Sequence, residues 1–433
     1  MATDTTDLTA SLPALRAGRG VHSLDAAAVL RLLPGPRPRV LALGEPTHGE
    51  DALLDVRNAL FRQLVEEEGY RTIAIESDCL RGRAVDAYVA TGAGDLDEVL
   101  AEGISHGWGA YAGNRELVRW AREFNARAED EGRPAAERLR FAGFDGPLEI
   151  THADSPRQAL TALHTHLAAH LDADLLPCTA ATLDALLGPD EPWTNPEAMR
   201  DPARSIGRHP EAIQLRLYAD ELTSLLDAHA PHLAAVSTPE EAETARLYAR
   251  TAVGLLRYHH AMADTSPARM SRLCGIRDHM MADNLGALAA RGPVLVHAQN
   301  AHLQREKSSM QMWQGRVEWW SAGALLSARL GDAYAFVATA LGTIRHQGVD
   351  APPPDTVEGL LYALRRSPVL LDPARLADAL AGAAPAPRVS PWFGYAPLDP
   401  GRLSTIDGLV FVRDVERGTE VREGREGRGS GAG

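Results

Sequence analysis

Six short apolar runs limit what this chain can fold into: RVLALG (39–44), RTIAIES (71–77), LRFAGFD (139–145), PVLVHAQ (293–299), YAFVATALG (334–342) and GLVFVR (408–413). They are continuous rather than alternating, so a strand built from them has no face to offer to water. The arrangement that buries both faces is a parallel sheet covered by helices. Between the first two runs lies DALLDVRNALFRQLVEEEGY (51–70), where Leu54, Leu60, Phe61 and Leu64 recur near helical spacing and Gly69 supplies a stop signal. That is a strand, helix, strand unit. The expected fold is α/β, a mostly parallel central sheet flanked by helices.

From about residue 152 to 291 no comparable run occurs, and the pattern turns helical, as in QALTALHTHLAAHL, EAIQLRLYADELTSLLDAHA and RMSRLCGIRDHMMADNLGALAAR. A helical insertion is expected at 152–265. It would separate an N-terminal part of the α/β core at 1–151 from a C-terminal part at 266–415. Residues 416–433, ending in REGREGRGSGAG, are charged and Gly-rich with nothing to bury, and are expected to form a disordered tail.

Composition narrows the function. With 433 residues, 45% hydrophobic and 24% charged, the chain can bury a sizeable core as an ordinary globular protein. No apolar run approaches the roughly 18 to 20 residues of a membrane span. The N-terminus has neither the basic opening nor the apolar stretch of a secretory signal. Cys79, Cys178 and Cys274 lie far apart with no CxxC pair, which gives neither a disulfide framework nor a zinc signature, and a cytoplasmic location is expected. A net charge of −14 argues against nucleic acid, whose binding needs a basic footprint. A small-molecule substrate is the expected partner, with no nucleic acid and no membrane; composition leaves the oligomeric state open. Lys307 is the only lysine, and the arginine excess reads as coding bias.

Polar residues follow each of the first four runs: Glu45 and His48, Glu76 and Asp78, Asp145, then Gln299, Asn300 and His302. In an open parallel sheet the carboxyl ends of the strands share one edge, where ligands bind, so these positions converge on one candidate site. Each also has a structural reading: Glu45 as a helix cap or arginine partner, Asp145 as a turn residue, His302 as a cap. Glu76, buried by its context, needs an arginine or His48 beside it. His48 has the side chain suited to general-base work near neutral pH. GISHG (103–107) fits the GxSxG pattern but follows none of the six apolar runs, so it lacks the strand-to-helix context of a nucleophile elbow; no cysteine in a nucleophile setting and no GxGxxG or GxxxxGK loop occurs. A water activated by His48, itself oriented by a carboxylate, is then the most economical chemistry.

In this order and at these spacings, GEPTHG (44–49), Arg57 downstream of the histidine, IAIES with Glu76, FAGFDG and NAH with His302 resemble the erythromycin esterase family, over roughly residues 30–415. The resemblance implies an α/β core with a helical subdomain forming a lid over a deep cleft, and hydrolysis of a macrolide lactone ester by histidine-activated water, without a serine nucleophile; no cofactor is expected. Carried over by position, His48 would be the general base and Glu45 and Glu76 would orient it or polarise the water. Arg57 would hold a carboxylate or stabilise developing negative charge, and His302 would complete the catalytic set. Gln299, Asn300, His297 and Asp145 are expected to contact substrate. The family usually reads His-Asn-x-His at the end of the fourth strand, and Gln299 takes the place of the first histidine. Glutamine cannot become a cation or shuttle a proton, but His297, two residues earlier, would share its face of a regular strand. Three other readings stand beside hydrolysis. The cleft could serve biosynthesis by cyclisation, dehydration or acyl transfer; Glu45, His48, Glu76 and His302 could hold a divalent metal; or the cleft could bind a ligand without converting it.

Overall fold

The structure, a computed structural model, describes residues 20–416 except 34, 36, 150, 313–314, 381–383 and 390–393. All six apolar runs are strands: β2 (Val40–Glu45), β3 (Thr72–Asp78), β4 (Arg140–Asp145), β5 (Val294–Gln299), β8 (Tyr334–Thr343) and β10 (Gly408–Asp414). Two short strands at one side, β1 (Val21–His22) and β9 (Val369–Leu371), complete one sheet of order β1-β9-β10-β8-β2-β5-β3-β4. Every pairing from β10 to β4 is parallel, and only β9 and β1 run antiparallel to their neighbours. At two and three residues, β1 and β9 are too short to leave a periodic signature in sequence. The remaining strands, β6 (Lys307–Met312) and β7 (Gly315–Trp320), form a separate antiparallel hairpin. On it the Lys307 ammonium stands 5.3 Å from the ring centroid of Trp320.

The sheet buries both faces, as the continuous runs require. On β2, Leu41 and Leu43 join Phe61 and Leu64 of the helix Asp51–Glu68, which ends at Gly69 in the left-handed conformation (φ 64°). Val40 and Ala42 point the other way, toward Met281, Leu285 and Ala289 of the helix Arg269–Arg291. Alternation carries the same split to the strand ends: Glu76 follows Ala74 onto the face covered by Arg269–Arg291, while His297 follows Leu295 onto the face of Asp51–Glu68.

Consecutive strands are not neighbours at the centre. After β4 the described residues up to β5 hold helices and turns but no strand, and the chain then returns to insert β5 between β2 and β3. That insertion sets Gln299 opposite Glu45 and His297 opposite both Leu43 and Ile75. The helical region packs around cores of its own, one of them built from Leu160, Leu163, Trp193, Leu215, Leu222 and Leu256. From residue 417 onward, the tail expected at 416–433 lies outside the described residues. Among the described residues no helix is long and apolar enough to cross a membrane.

Candidate active site

Glu45 is the last residue of β2, and the turn after it folds His48 back so that its Nδ1 lies 2.7 Å from Glu45 Oε1. The tightness of that turn is visible at Gly49, at φ 83°, where a Cβ would meet the Tyr111 hydroxyl at 2.5 Å. An ionised carboxylate only accepts, so Nδ1 carries a proton and the neutral imidazole presents its lone pair at Nε2. Nε2 faces Glu76 Oε2 at 3.8 Å, too far for a direct hydrogen bond. The other oxygen of Glu45 lies 3.2 Å from His297 Nε2, and His297 Nδ1 donates to the Leu43 carbonyl at 3.1 Å. Burial alone would raise the Glu45 pKa, but His297 and His48 outweigh it and hold the carboxyl well below its usual range. For His48, burial lowers the pKa while Glu76 and Glu45 raise it, and the net displacement is upward.

Glu76 is the most heavily partnered group. Its Oε1 accepts from Arg277 Nη2 at 3.0 Å and lies 3.4 Å from His302 Nε2, and its Oε2 accepts the backbone N–H of Gln299 at 3.0 Å. Burial would raise its pKa, but His302, His48 and Arg277 together lower it. His302 is fixed from behind, Nδ1 donating to Asp278 Oδ1 at 2.8 Å while Asp278 Oδ2 accepts from Ala322 N at 2.9 Å. The same Arg277 grips both oxygens of Asp145, with Nη2 at 2.6 Å from Oδ2. Arg277 and Asp278 are consecutive on the helix Arg269–Arg291, the one packed on this face of the sheet.

The other flank is aromatic. Trp108 lies between two imidazoles, its ring centroid 4.4 Å from that of His48 and 4.7 Å from that of His106. His106 has a positive φ of 61°, uncommon for a residue with a side chain, and its Nδ1 is 2.6 Å from Glu149 Oε2. Burial lowers its pKa, but the carboxylates of Asp145, 3.8 Å from Nε2, and Glu149 outweigh it and push it up to about 9.

Arg57 makes no ion pair among the described residues. Fully enclosed, it donates to Asn114 Oδ1 (2.9 Å) and to Asn58 Oδ1 (3.0 and 2.8 Å). Burial brings its pKa down to about 10, with Glu45 the main opposing charge, so it stays cationic at neutral pH. With Glu45, His48, Glu76, Trp108 and His297 it lines a cavity of about 20 Å³. A void of roughly 10–15 Å³ by this measure suffices for one water.

The expected catalytic residues, His48, Glu45, Glu76, Arg57 and His302, thus converge at the edge of β2, β5 and β3. The expected substrate contacts divide. His297 is part of the same network. Gln299 and Asn300 line a second cavity, of about 600 Å³, beyond the end of β5, walled also by Gln304, Met310, Trp319, Phe336 and the segment 395–399. Within it Gln299 Nε2 donates to the Gly394 carbonyl at 2.8 Å. The Asn300 amide is taken up structurally, Nδ2 donating to Thr339 O (2.8 Å) and Oδ1 accepting from Thr339 N (3.3 Å). Asp145 is fully buried and its oxygens are occupied by Arg277 and Gly146 N, so it positions the arginine rather than meeting a ligand. No residue of 152–265 lines either cavity. Among the described residues no group of three or more His, Cys, Asp or Glu side chains has the geometry of a metal site.

Sequence reasoning missed Arg277, Asp278, His106, Trp108 and Asn114. For Arg277 a signal was present: Leu273 and Met281, four residues to either side, are core residues, so a charged side chain sits on the buried stripe of its helix.

Fold and site together define an α/β protein with a carboxylate-clamped histidine at a parallel-sheet edge. The profile of the erythromycin esterase family matches residues 65–415, and the chain belongs to that family, which at family level is one of esterase-type hydrolases. No curated protein matches it. Three solved structures are similar in fold. A Bacillus cereus protein shares 16% identity over 94% of this chain and 98% of its own, with a TM-score of 0.69. A succinoglycan biosynthesis protein shares 16% over 95% and 98%, with a TM-score of 0.63. A mutant of erythromycin esterase EreC, in its open conformation, shares 18% over 91% and 95%, also with a TM-score of 0.63.

Proposed function

We propose that the protein hydrolyses an ester or lactone of a small, macrolide-like natural product with water activated by His48. The observation that carries this reading is the setting of His48: Glu45 engages Nδ1, Nε2 is left open toward Glu76, and a cavity large enough for one water lies beside it. In the first step His48 Nε2 takes a proton from the water as its oxygen bonds to the ester carbonyl carbon. The oxyanion that forms is stabilised by the Arg57 cation, and the imidazolium by Glu45. Collapse breaks the bond to the alcohol oxygen, and His48 returns the proton to that oxygen, giving acid and alcohol. The substrate body occupies the cavity of about 600 Å³, a size within the usual range of roughly 300–1,000 Å³ for ligand sites. No cofactor is required by this scheme; elemental analysis and activity after chelation test that directly.

Incubation with a panel of lactones and acyclic esters should give products heavier by one water, and His48→Ala should slow the gain at least about a hundredfold. Turnover undiminished by His48→Ala would overturn the proposal. A second reading, biosynthetic chemistry in the same cleft, is favoured by Gln299, which stands where the family usually has histidine and gives its amide proton to Gly394. Products of unchanged mass, or lighter by one water, would favour it.

A further inference from the structure

A third cavity lies away from the sheet edge. It measures about 650 Å³ and lies where the helices Pro239–Met262 and Arg269–Arg291 meet the β6–β7 hairpin and Leu325. The helix Arg269–Arg291 stands between it and the candidate active site: Arg277 and Asp278 reach Glu76 and His302, whereas Gly275, Ile276 and His279 line the cavity. Its lining is mainly apolar, with Val253, Ile276, Met280, Trp319, Trp320 and Leu325.

Three arginines interrupt that lining. Arg250 is satisfied by Glu243 (3.1 Å) and Asn284 (3.3 Å), and Arg272 by Asp264. Arg257 is exposed at the wall and has no hydrogen-bond or ion-pair partner among the described residues. The carboxylate in the lining, Asp283, is engaged by Arg329 at 2.7 Å and by His279 at 3.4 Å. Burial and then the nearby Arg257 lower the pKa of Arg216, so a second guanidinium adds positive potential at the same place. In a chain of net charge −14, an unneutralised arginine beside an apolar cavity is a local reversal of sign.

The glycines add an independent observation. Gly254 is explained by packing, since a Cβ there would meet Met280 Sδ at 2.6 Å. Gly275 is not: beyond its chain neighbours and its own helix backbone, no heavy atom lies within 4 Å of where its Cβ would stand. A mid-helix glycine costs about 0.5–1 kcal/mol relative to alanine, and here the absent side chain leaves the cavity open.

We propose that this cavity is a second ligand site, for a small amphipathic anion whose apolar body lies against Trp319, Trp320 and Ile276 and whose carboxylate-type head pairs with Arg257. The site is independent of the hydrolytic reading. Isothermal titration of the full chain with dodecanoate below its micellar concentration tests it, with dodecanol as the uncharged body and acetate as the bodiless anion. Dodecanoate should bind saturably and acetate should not. Dodecanol should bind about tenfold more weakly than dodecanoate, and Arg257→Glu should erase that difference by weakening dodecanoate alone. Gly275→Leu should abolish both interactions while leaving thermal stability equal or higher, because it fills space and removes a helix glycine. Absence of saturable binding, equal affinity for dodecanoate and dodecanol, or unchanged binding by a folded Gly275→Leu variant would each overturn the proposal. Arg402→Glu, in the cavity beyond the end of β5, should leave dodecanoate binding as it is; its loss there would assign the ligand to that cavity and likewise overturn the proposal.

Discussion

His48 sits between two carboxylates, and that decides the sign of its response to pH. Burial lowers its pKa, Glu76 and Glu45 raise it, and the net displacement is above 6.5. A general base must be neutral, so the acid limb of kcat/KM should fall above pH 6.5, and Glu45→Gln should move that limb to lower pH by removing negative charge from Nδ1. His48→Ala should lower kcat/KM by about 10²–10⁴-fold, measured on whichever ester is turned over. The same displacement has a stability sign. With its folded pKa above the unfolded one, His48 contributes stability that is full below the unfolded value and is lost as pH rises through the folded value. Asp145 works in the opposite direction. Burial would raise its pKa, but Arg277 and His106 lower it to about 2, so its contribution is present above its unfolded value and is lost as pH falls toward 2. Denaturant melts as a function of pH should show a shallower acid decline for Asp145→Asn. At pH 7 that variant should be less stable by on the order of 3 kcal/mol, because Arg277 loses its closest anionic partner.

At the scale of elements, the decisive feature is the placement of β5. Its sequence announced a buried strand ending in polar residues, and that much was legible; that it lies between β2 and β3 was not, because local pattern carries no strand order. The same distinction runs through the site. Glu45 with His48 could be read from four consecutive positions, and the need of Glu76 for a partner could be read from its burial. Which arginine answers that need could not, because Arg277 is 201 residues away and acts from a helix that docks on the sheet only in three dimensions. Trp108 and His106 sit in a short irregular segment with no periodicity to mark them. The close fit of β2 against Asn300 and against Phe336 of β8 gives its own test. A Cβ on Gly44 would meet Asn300 Oδ1 at 2.1 Å and Phe336 at 3.1 Å, so Gly44→Ala should cost about 1–3 kcal/mol in chemical denaturation, through overpacking.

Across the whole molecule, the large cavity by the active site is closed by segments remote in sequence. Gln299 holds Gly394, Ala396 N donates to Pro46 O at 2.6 Å, and Leu398 N donates to Glu358 Oε1 at 3.1 Å, so residues 394–398 are strapped over the strand ends. Gln299→Ala removes one of these ties. Hydrogen exchange at the Ala396 and Leu398 amides should quicken in that variant while β2 and β5 keep their protection, since opening here is local. The β6–β7 hairpin joins the two large cavities, because Trp319 lines both. At its start stands Lys307, the only lysine of the chain, exposed and poised over Trp320. Apart from the α-amine, an amine-selective reagent therefore has a single target, and a fluorophore attached there would sit on an element bordering both chambers, a ready-made reporter of what enters either.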